Sequence, residues 1–303
     1  MDFNRLEAKR GHFLFTVRLI LIKSFNKGLE FGHQERYRMK SGPMKQKLKA
    51  ESPPFLIFKN LSAVPGLVHG VFTRHGGVSL PPYESLNVGW TNGDRPEAVL
   101  ENLTRIKHAA GLERLVSSRQ LHGDSVNFID EGSVEKLDER PHAFLAPPGD
   151  ALATNATGLG LLIKVADCQS ILLVDPKSRI IANIHSGWRG SVQNIAGKTV
   201  RRLAEGFGLD PAQTLAAVSP SLGPCCAEFV NYRREIPEKL WPFQVRPEYF
   251  DFWAITRDQL TAAGISGENI EFAGKCTVCG KADFFSYRGE GRTGRMASII
   301  GWK

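Results

Sequence analysis

Two apolar runs joined by a proline turn dominate the middle of the sequence. The runs ILLV and IIANI flank the tetrapeptide Asp-Pro-Lys-Ser that begins at Asp175, and proline in the second position favours a tight turn. This pattern predicts a β-hairpin. If Asp175 pairs with Ser178, Cys168 lies opposite His185, and directly opposed residues have Cβ atoms roughly 4.5–5.5 Å apart. The sequence thus predicts a thiol and an imidazole close enough to bind one ion.

Three interpretations of Cys168 and His185 follow from their spacing. They form a nucleophilic dyad if Asp167 or Asp150 orients the imidazole. They form a metal site if a third ligand joins them, and His122 is the best-placed candidate because it lies in a glycine-flanked loop before a strand. Two nitrogens and one sulfur suit Zn²⁺ and leave one position open, as in catalytic sites. In the third interpretation both residues have only structural roles.

The charge distribution argues against a general nucleic-acid-binding protein. Residues 1–50 contain 12 Lys and Arg against 4 Asp and Glu, whereas residues 51–303 contain 27 of each kind. A protein that binds phosphate backbones needs a basic face in its folded part. We therefore expect no nucleic-acid partner for the folded part.

The first fifty residues differ in composition from the rest of the chain. Their longest apolar run, HFLFTVRLILI, is too short to span a bilayer and lacks a signal-peptide cleavage site. We therefore expect no membrane association and a cytoplasmic protein. Residues 1–50 are interpreted either as a disordered basic tail or as sequence upstream of a true start at Met39 or Met44.

The chain has five cysteines. In a protein expected to be cytoplasmic, we expect them to be thiols or metal ligands and not to form disulfides. The sequence CTVC at 276–279 is compatible with a metal or redox role. However, the chain has no second Cys-x-x-Cys to complete a four-cysteine site, which favours a structural role for Cys276 and Cys279.

Apolar periodicity predicts an α+β (mixed α/β) fold: a single domain over residues 51–303, with mixed β-sheets flanked by helices in a layered sandwich. A helix is predicted to begin at Asp94 as N-cap and to end at Gly111. A second helix is predicted to begin directly after HSGWRG, with its free backbone N–H groups beside His185 as an anion site. Further helical and strand patterns occur in FDFWAITRDQLTAAG, LVHGVFTR, TLAAV, ENIEFAG and at the C-terminus.

The histidine inventory argues against a four-copper oxidase. Such an enzyme needs many imidazoles, usually in His-x-His pairs, whereas this chain has eight histidines and no such pair.

Several motifs occur together, in order, over roughly residues 55–303, and here the chain resembles the laccase-domain proteins, also called the polyphenol-oxidase or purine nucleoside phosphorylase family. The motifs are TRHGGVS at 73–79, SLNVG at 85–89, QLHG at 120–123, DALATN at 150–155, ADC at 166–168, HSGWRG at 185–190, GPCCAEF at 223–229, CTVC at 276–279 and FFSYRGEGRTGRMA at 284–297.

The resemblance implies that His122, Cys168 and His185 are catalytic zinc ligands, with Cu²⁺ as a possible substitute for Zn²⁺. It implies phosphorolysis of adenosine, inosine and methylthioadenosine, with adenosine deamination as a further activity. The expected partners are therefore a purine nucleoside and phosphate, and the oligomeric state is not predicted. On the same motifs the candidate substrate-binding residues are Arg74, Asn87, Gln120, Asp150, Arg189, Glu228 and Arg288.

Three positions depart from the family pattern. Ser186 stands where the family usually has alanine, and Gly289 replaces the second arginine of the usual SYRR. Cys279 is not general in the family, which again favours a structural interpretation of CTVC. The alternatives are copper-dependent polyphenol oxidation, a Cys/His hydrolase, and a non-catalytic zinc-stabilised binding module.

Overall fold

Two mixed β-sheets carry most of the regular structure in the computed structural model, which describes residues 52–140 and 143–303. The predicted tail at residues 1–50 lies outside the described residues. The strands are β1 (Phe55–Leu56), β2 (Leu67–Phe72), β3 (Arg114–Ser118), β4 (Val126–Phe128), β5 (Asp138–Glu139), β6 (Phe144–Ala146), β7 (Ala151–Thr154), β8 (Leu159–Val165), β9 (Gln169–Asp175), β10 (Ile180–Ser186), β11 (Leu215–Val218), β12 (Gln244–Arg246), β13 (Tyr249–Phe250), β14 (Ile270–Phe272) and β15 (Met296–Trp302).

Helices and 3-10 turns connect the strands. They are α1 (Lys59–Ser62), α2 (Pro96–Ala110), α3 (Glu131–Val134), α4 (Trp188–Val192), α5 (Ile195–Phe207), α6 (Tyr232–Glu235), α7 (Phe252–Ala262) and α8 (Tyr287–Glu290), with 3-10 turns at Pro211–Gln213, Glu238–Phe243 and Gly267–Asn269.

Each large sheet mixes parallel and antiparallel pairs. The first has the order β1-β2-β15-β8-β3-β6-β5, and the second has the order β14-β11-β9-β10-β7-β4. Parallel pairing occurs at β3–β8, β3–β6, β11–β14 and β4–β7. The mixed sheets confirm the predicted α+β class.

Alternate residues of the central strands face different cores, and this periodicity creates the layers. On β9, Leu172 and Val174 point into the core between the sheets, whereas Ile171 and Leu173 pack under α5 and α7. On β15, Ile299 packs with α2 on the outer face of the first sheet. The layer order is therefore helix, sheet, sheet, helix, as predicted for a layered sandwich.

The helix predicted from Asp94 to Gly111 is confirmed as α2, with one correction at its start. Gly111 adopts the left-handed conformation (φ 64°) and ends the helix as predicted. The N-cap is Arg95 and not Asp94, because the Asp94 carboxylate accepts a hydrogen bond from Asn87 Nδ2 at 2.9 Å instead of capping the first turn. The other predicted strands and the helix α7 are also confirmed.

The central hairpin is confirmed as β9 and β10, but the predicted register is wrong by two residues. Asp175 pairs with Ile180, so His185 lies opposite Ser170 and not opposite Cys168, which precedes β9. The Asp175 carboxylate accepts hydrogen bonds from Lys177 N at 2.9 Å and from the Ser178 hydroxyl at 2.7 Å. These bonds favour a four-residue loop over the tighter turn.

The helix predicted after HSGWRG is confirmed as α5, but its predicted start is wrong. The chain forms α4 from Trp188, breaks at Asn194 and continues as α5. Asn194 adopts the left-handed conformation (φ 59°), and its side chain caps α5 by accepting a hydrogen bond from Gly197 N. Only the short α4 therefore begins beside His185, and the N-terminus of the long helix does not.

Candidate metal centre and active site

Three segments bring His122, Cys168 and His185 together. His122 lies on the loop after β3, Cys168 immediately precedes β9, and His185 lies near the end of β10. The donor atoms of the three side chains all lie within 4.8 Å of one another, and Cys168 Sγ is 4.0 Å from His122 Nε2. His185 is buried, whereas the ring of His122 is exposed.

Asp150 forms hydrogen bonds that hold both His185 and the loop of His122 in place. Its Oδ1 accepts a hydrogen bond from His185 Nδ1 at 2.8 Å, and its carboxylate also accepts backbone N–H groups of Leu121, His122 and Gly123 at 2.9–3.0 Å. Although burial raises the pKa of Asp150, these donors lower it to about 2. Asp150 is therefore a buried carboxylate that holds two histidines and does not contact the cavity.

The Cys168 thiolate and the His185 imidazolium stabilise each other. Burial raises the pKa of Cys168, but the neighbouring His185 and His122 outweigh burial and lower it below its usual range. Burial lowers the pKa of His185, whereas Cys168 and Asp150 together raise it well above its usual range. At neutral pH the geometry favours a thiolate and a protonated imidazole when no ion is bound.

Gly187 leaves the space in which Cys168 and His122 meet. A Cβ atom at this position would lie 2.9 Å from Cys168 Sγ and 3.0 Å from His122 Cδ2. His122 itself adopts a left-handed backbone conformation (φ 60°), which the bonds of Asp150 to its loop stabilise. Gly187 of HSGWRG therefore has a packing role in the site.

The donor set fits a zinc ion. Zn²⁺ takes cysteine sulfur at about 2.3 Å and histidine nitrogen at about 2.0 Å, and catalytic sites use three protein ligands and keep one position open. Because Nδ1 of His185 faces Asp150, Nε2 is left for an ion, and carboxylate–histidine pairs of this kind support metal ligands in many proteins. The site is a candidate Cys/His metal centre.

A cavity of about 300 Å³ opens beside these side chains. Its walls are largely apolar and aromatic, and two arginines lie on them, a composition typical of small-molecule sites. The lining residues are His122, Ala166, Asp167, Cys168, Gln169, Ser186, Gly187, Trp188, Arg189, Ser191, Leu222, Phe229, Phe252, Tyr287 and Arg288.

Arg189 and Arg288 are the two predicted substrate-binding residues that line this cavity. The Arg189 guanidinium lies 4.2 Å from the centre of the Trp188 ring. Arg288 donates a hydrogen bond from Nη1 to the carbonyl oxygen of Glu228 at 2.9 Å. Glu228 is exposed and lies outside the cavity, so it contributes a backbone carbonyl that holds an arginine.

Arg74, Asn87 and Gln120 do not line the cavity. Arg74 is ion-paired with Glu290 at 2.9 Å. Asn87 is fully buried and accepts a hydrogen bond from Arg295 N at 2.8 Å. Gln120 makes two hydrogen bonds with the backbone of Lys164. In this structure all three side chains hold neighbouring loops in place.

Asp167 is a site residue that the sequence suggested only as a partner of a dyad. It has a left-handed backbone conformation (φ 82°), and its carboxylate accepts hydrogen bonds from Thr277 Oγ1, Ser286 Oγ and Arg288 N at 2.6–2.7 Å. Asp167 therefore fixes the backbone of Arg288 directly beside Cys168. The aromatic residues Phe229 and Tyr287 were also not predicted, although Tyr287 adjoins the predicted Arg288.

A second group of ligand-type side chains was missed. Cys225, Cys226, Cys276 and Cys279 lie together, with all sulfur atoms within 4.8 Å of one another. A search for paired Cys-x-x-Cys motifs does not find this arrangement, because one half of it is the adjacent pair Cys225 and Cys226. The adjacent pair Cys225 and Cys226 was the sequence feature that could have indicated the four-cysteine group.

No helix within the described ranges 52–140 and 143–303 is long and apolar enough to cross a membrane.

Comparison with known proteins decides the family. Residues 68–303 match the sequence profile of the family described as multi-copper polyphenol oxidoreductase laccase. The chain belongs to this laccase-like family. The resemblance inferred from the motifs is thereby confirmed, and it extends over nearly all of the described residues.

Proteins similar in sequence to this chain carry a different functional name. The chain is 34% identical over 266 residues to purine nucleoside phosphorylase YlmD of Geobacillus stearothermophilus, covering 84% of this chain and 93% of the relative. It is 34% identical over 236 residues to purine nucleoside phosphorylase YfiH of Escherichia coli strain K12, covering 75% and 90%.

Solved structures have the same fold. The hypothetical protein YfiH of Bacillus licheniformis superposes with a TM-score of 0.74 at 26% identity, covering 84% of this chain and 98% of that one. YlmD of Geobacillus stearothermophilus superposes with a TM-score of 0.71 at 31% identity, covering 79% and 93%. The layered fold is therefore shared with these two proteins.

Proposed function

We propose that the protein is a zinc-dependent purine nucleoside phosphorylase acting on adenosine, inosine and methylthioadenosine. The observation that carries the proposal is the three-donor Cys/His group on the wall of a cavity that also holds two arginines and several aromatic rings. The names of the relatives from Geobacillus stearothermophilus and Escherichia coli support it.

In the proposed reaction phosphate attacks C1′ of the ribose, a C–O bond forms there, and the bond between C1′ and the purine nitrogen breaks. The products are the free base, which takes up a proton, and ribose 1-phosphate, or 5-methylthioribose 1-phosphate when methylthioadenosine is the substrate. Arg189 and Arg288 are suited to bind the phosphate because guanidinium groups recognise phosphate oxygens in a bidentate manner. In this role they lower the cost of bringing phosphate dianion next to the ribose.

The aromatic walls suit the purine. Phe229 and Tyr287 line the cavity, and Tyr287 is largely exposed, so its ring is available for contact with a base. Stacking of a base on an aromatic side chain contributes about 1–3 kcal/mol. These contacts tolerate changes at C6 and at the 5′ position, which is consistent with a range of nucleosides.

A bound zinc ion would supply Lewis-acid polarisation of a substrate oxygen or water. His122, Cys168 and His185 would hold it, and Asp150 keeps the two histidines in place through its hydrogen bonds. Adenosine deamination, in which water replaces the C6 amino group and ammonia leaves, is the second activity of the same site in this proposal. The proposal includes a cytoplasmic location, with which cysteines that are not paired in disulfides within the described residues are compatible.

The test is chromatography of zinc-loaded protein incubated with adenosine, with and without phosphate. We expect adenine that depends on phosphate, some inosine without it, and neither product from Cys168→Ala. Thermal melting confirms that the variant is folded. If folded, zinc-loaded wild-type protein gives neither product, the proposed function is wrong.

The arginine roles have their own test. Arg189→Ala and Arg288→Ala should each raise the KM for phosphate by about tenfold or more, because each removes a charge-assisted bond of about 1.5–3 kcal/mol. Arg202→Ala is the matched control, since Arg202 is exposed on α5 away from the cavity. An unchanged phosphate KM in both cavity variants would exclude these arginines as the phosphate site.

A Cys/His hydrolase is the second candidate. Cys168 lies next to His185, and His185 donates a hydrogen bond to Asp150, so the three could act as nucleophile, base and orienting acid. Iodoacetamide distinguishes the two functions. If Cys168 is a zinc ligand, zinc protects it from alkylation, whereas a free nucleophile reacts equally with and without zinc.

Copper-dependent oxidation is tested in the same preparation by loading Cu²⁺ and assaying a polyphenol.

A further inference from the structure

Four cysteines outside the candidate active site converge on one point. Cys225 and Cys226 follow strand β11, and Cys276 and Cys279 follow strand β14. Cys279 Sγ lies 3.6 Å from the sulfur atoms of both Cys225 and Cys226, and all four sulfurs lie within 4.8 Å of one another.

These separations match a tetrahedral ion. With Zn–S bonds of about 2.3 Å, the sulfur atoms of a four-cysteine site lie roughly 3.8 Å apart. A disulfide would need a sulfur–sulfur distance of about 2.05 Å. Moreover, one sulfur at equal distance from two others is the arrangement of ligands around a shared ion and not of a bonded pair. An iron–sulfur cluster holds several metal atoms, so its cysteines must stand farther apart than around a single ion.

The backbone presents the four thiols in a regular way. The parallel pairing of β11 and β14 continues as a bridge between Ser221 and Cys276, after which both segments turn. Cys226 N donates to Gly223 O at 3.0 Å in one turn, and Gly280 N donates to Cys276 O at 2.9 Å in the other. Each turn therefore carries two cysteines toward the same point.

Polar groups near the sulfurs suit a negatively charged thiolate site. Gly223 N lies 3.4 Å from Cys276 Sγ in donor geometry, a contact that stabilises a thiolate. Arg246 donates to the carbonyl oxygen of Cys225 at 3.1 Å, which brings a positive charge to the same turn. A Cβ atom on Gly223 would lie 2.9 Å from the Trp253 ring and 3.0 Å from Cys276 Cβ, so glycine lets this turn pack closely against both side chains.

We propose that Cys225, Cys226, Cys276 and Cys279 form a closed tetrathiolate site for one Zn²⁺ ion. With four protein ligands and no open position, this site has a structural role, as closed zinc sites do. The proposal does not depend on the proposed phosphorylase activity.

The position of the tetrathiolate site explains what it would stabilise. Leu222 and Phe229, on either side of the Cys225–Cys226 pair, line the active-site cavity. Thr277, between the other two cysteines, donates to Asp167, which holds Arg288. An ion here would join both segments and fix one wall of the cavity.

The first experiment measures zinc content per chain. Protein purified with zinc and freed of loose metal should lose about one zinc equivalent per chain on Cys279→Ser or on Cys226→Ser. Cys168→Ala is the matched cysteine substitution outside the cluster, and combining it with Cys279→Ser should remove an additional equivalent. Zinc content that is the same in the cluster variants and the wild type would overturn the proposal.

Cobalt identifies the ligand set. Co²⁺ bound by four thiolates gives intense visible bands and strong thiolate-to-metal charge transfer, whereas a site with one thiolate gives weaker absorption. We expect the four-thiolate spectrum in wild-type protein and in Cys168→Ala, and its loss in Cys279→Ser. Its absence from cobalt-loaded wild-type protein would overturn the proposal.

A measurement on the wild-type chain avoids variants that fail to fold. Iodoacetamide labelling read by mass spectrometry should leave all four cysteines unmodified in zinc-loaded protein and should modify them after treatment with a strong chelator. Equal labelling in both samples, or disulfides between these cysteines in freshly purified protein, would show that the cluster does not hold a metal ion.

Discussion

The carboxylate of Asp150 accepts a hydrogen bond from His185 Nδ1 at 2.8 Å, and both side chains are buried. The same carboxylate accepts the backbone N–H groups around His122. One side chain that lies outside the cavity thus sets the orientation of two of the three candidate ligands.

Replacing Asp150 by asparagine should weaken metal binding. An amide nitrogen cannot accept hydrogen bonds, so at least one of the bonds to the two histidine segments is lost. Loss of such a supporting bond typically lowers metal affinity 10- to 100-fold. Competition with a chromophoric chelator measures this affinity. Asp124→Asn is the control, because Asp124 adjoins the same loop but is ion-paired with Lys198. Equal affinity in Asp150→Asn and wild type would contradict this role.

Gly187→Ala should abolish metal binding while leaving the fold intact. The backbone of Gly187 has an ordinary conformation (φ −78°), so alanine causes no backbone strain, but its Cβ would lie 2.9 Å from Cys168 Sγ. Gly206→Ala is the matched control, since no atom lies within 4 Å of its added Cβ. On helix α5 this control should increase stability by about 0.5–1 kcal/mol. Calorimetric titration with zinc and thermal melting give both readouts, and normal zinc affinity in Gly187→Ala would refute the expectation.

Asp175 should make stability depend on pH. Burial raises its pKa, but donors from Asp210, Ser178 and Lys177 outweigh burial, so the folded-state pKa lies below the usual value near 4. Such a group stabilises the fold above the unfolded-state pKa, and this contribution is lost as the pH falls through the folded-state pKa.

Asp175→Asn should therefore lower the free energy of unfolding by about 1–3 kcal/mol at neutral pH, with a gap to wild type that narrows in acid. Urea denaturation from neutral pH to about pH 2.5 measures the gap. Asp130→Asn is the control, because Asp130 is an exposed N-cap and asparagine caps equally well. A gap that stays constant over the whole pH range would rule out the charge of Asp175 as its cause.

Local patterns predicted most elements, because each depends on residues close in sequence. The apolar face of α2 and the left-handed Gly111 define that helix without reference to the rest of the chain. The hairpin register was not predictable in this way. It depends on hydrogen bonds of the Asp175 side chain and on the left-handed conformation of Arg179 (φ 56°), a residue type that rarely adopts it.

The residues of the candidate site likewise fall into two groups, those that the sequence could predict and those that depend on tertiary contacts. His122, Cys168 and His185 could be proposed from residue type and motif, and the structure brings them together even though the register was wrong. Arg74 and Arg288 could not be distinguished by type, because only tertiary contacts pair Arg74 with Glu290 and leave Arg288 on the cavity wall. The four-cysteine cluster depends on the parallel pairing of β11 and β14, which are far apart in sequence.

Asn183 is a buried polar residue between the two sheets, and its removal should be costly. Its Nδ2 donates to Leu161 O at 3.0 Å and to Ser298 O at 2.9 Å, and its Oδ1 accepts a hydrogen bond from Ser170 at 2.6 Å. Because Asn183 is fully buried, Asn183→Ala leaves buried groups without partners and also leaves a cavity. We expect a loss of about 2–4 kcal/mol in the free energy of unfolding.

Urea denaturation with an unchanged m-value measures that loss, since the same surface is exposed on unfolding. Asn127→Ala is the matched control: Asn127 also donates from Nδ2 to a backbone carbonyl, that of Pro147 at 2.8 Å, but the bond is exposed. Water replaces the lost partner there, so the control should cost less than about 1 kcal/mol. If both variants lose the same stability, the buried bonds of Asn183 contribute no more to the free energy of unfolding than the exposed bond of Asn127.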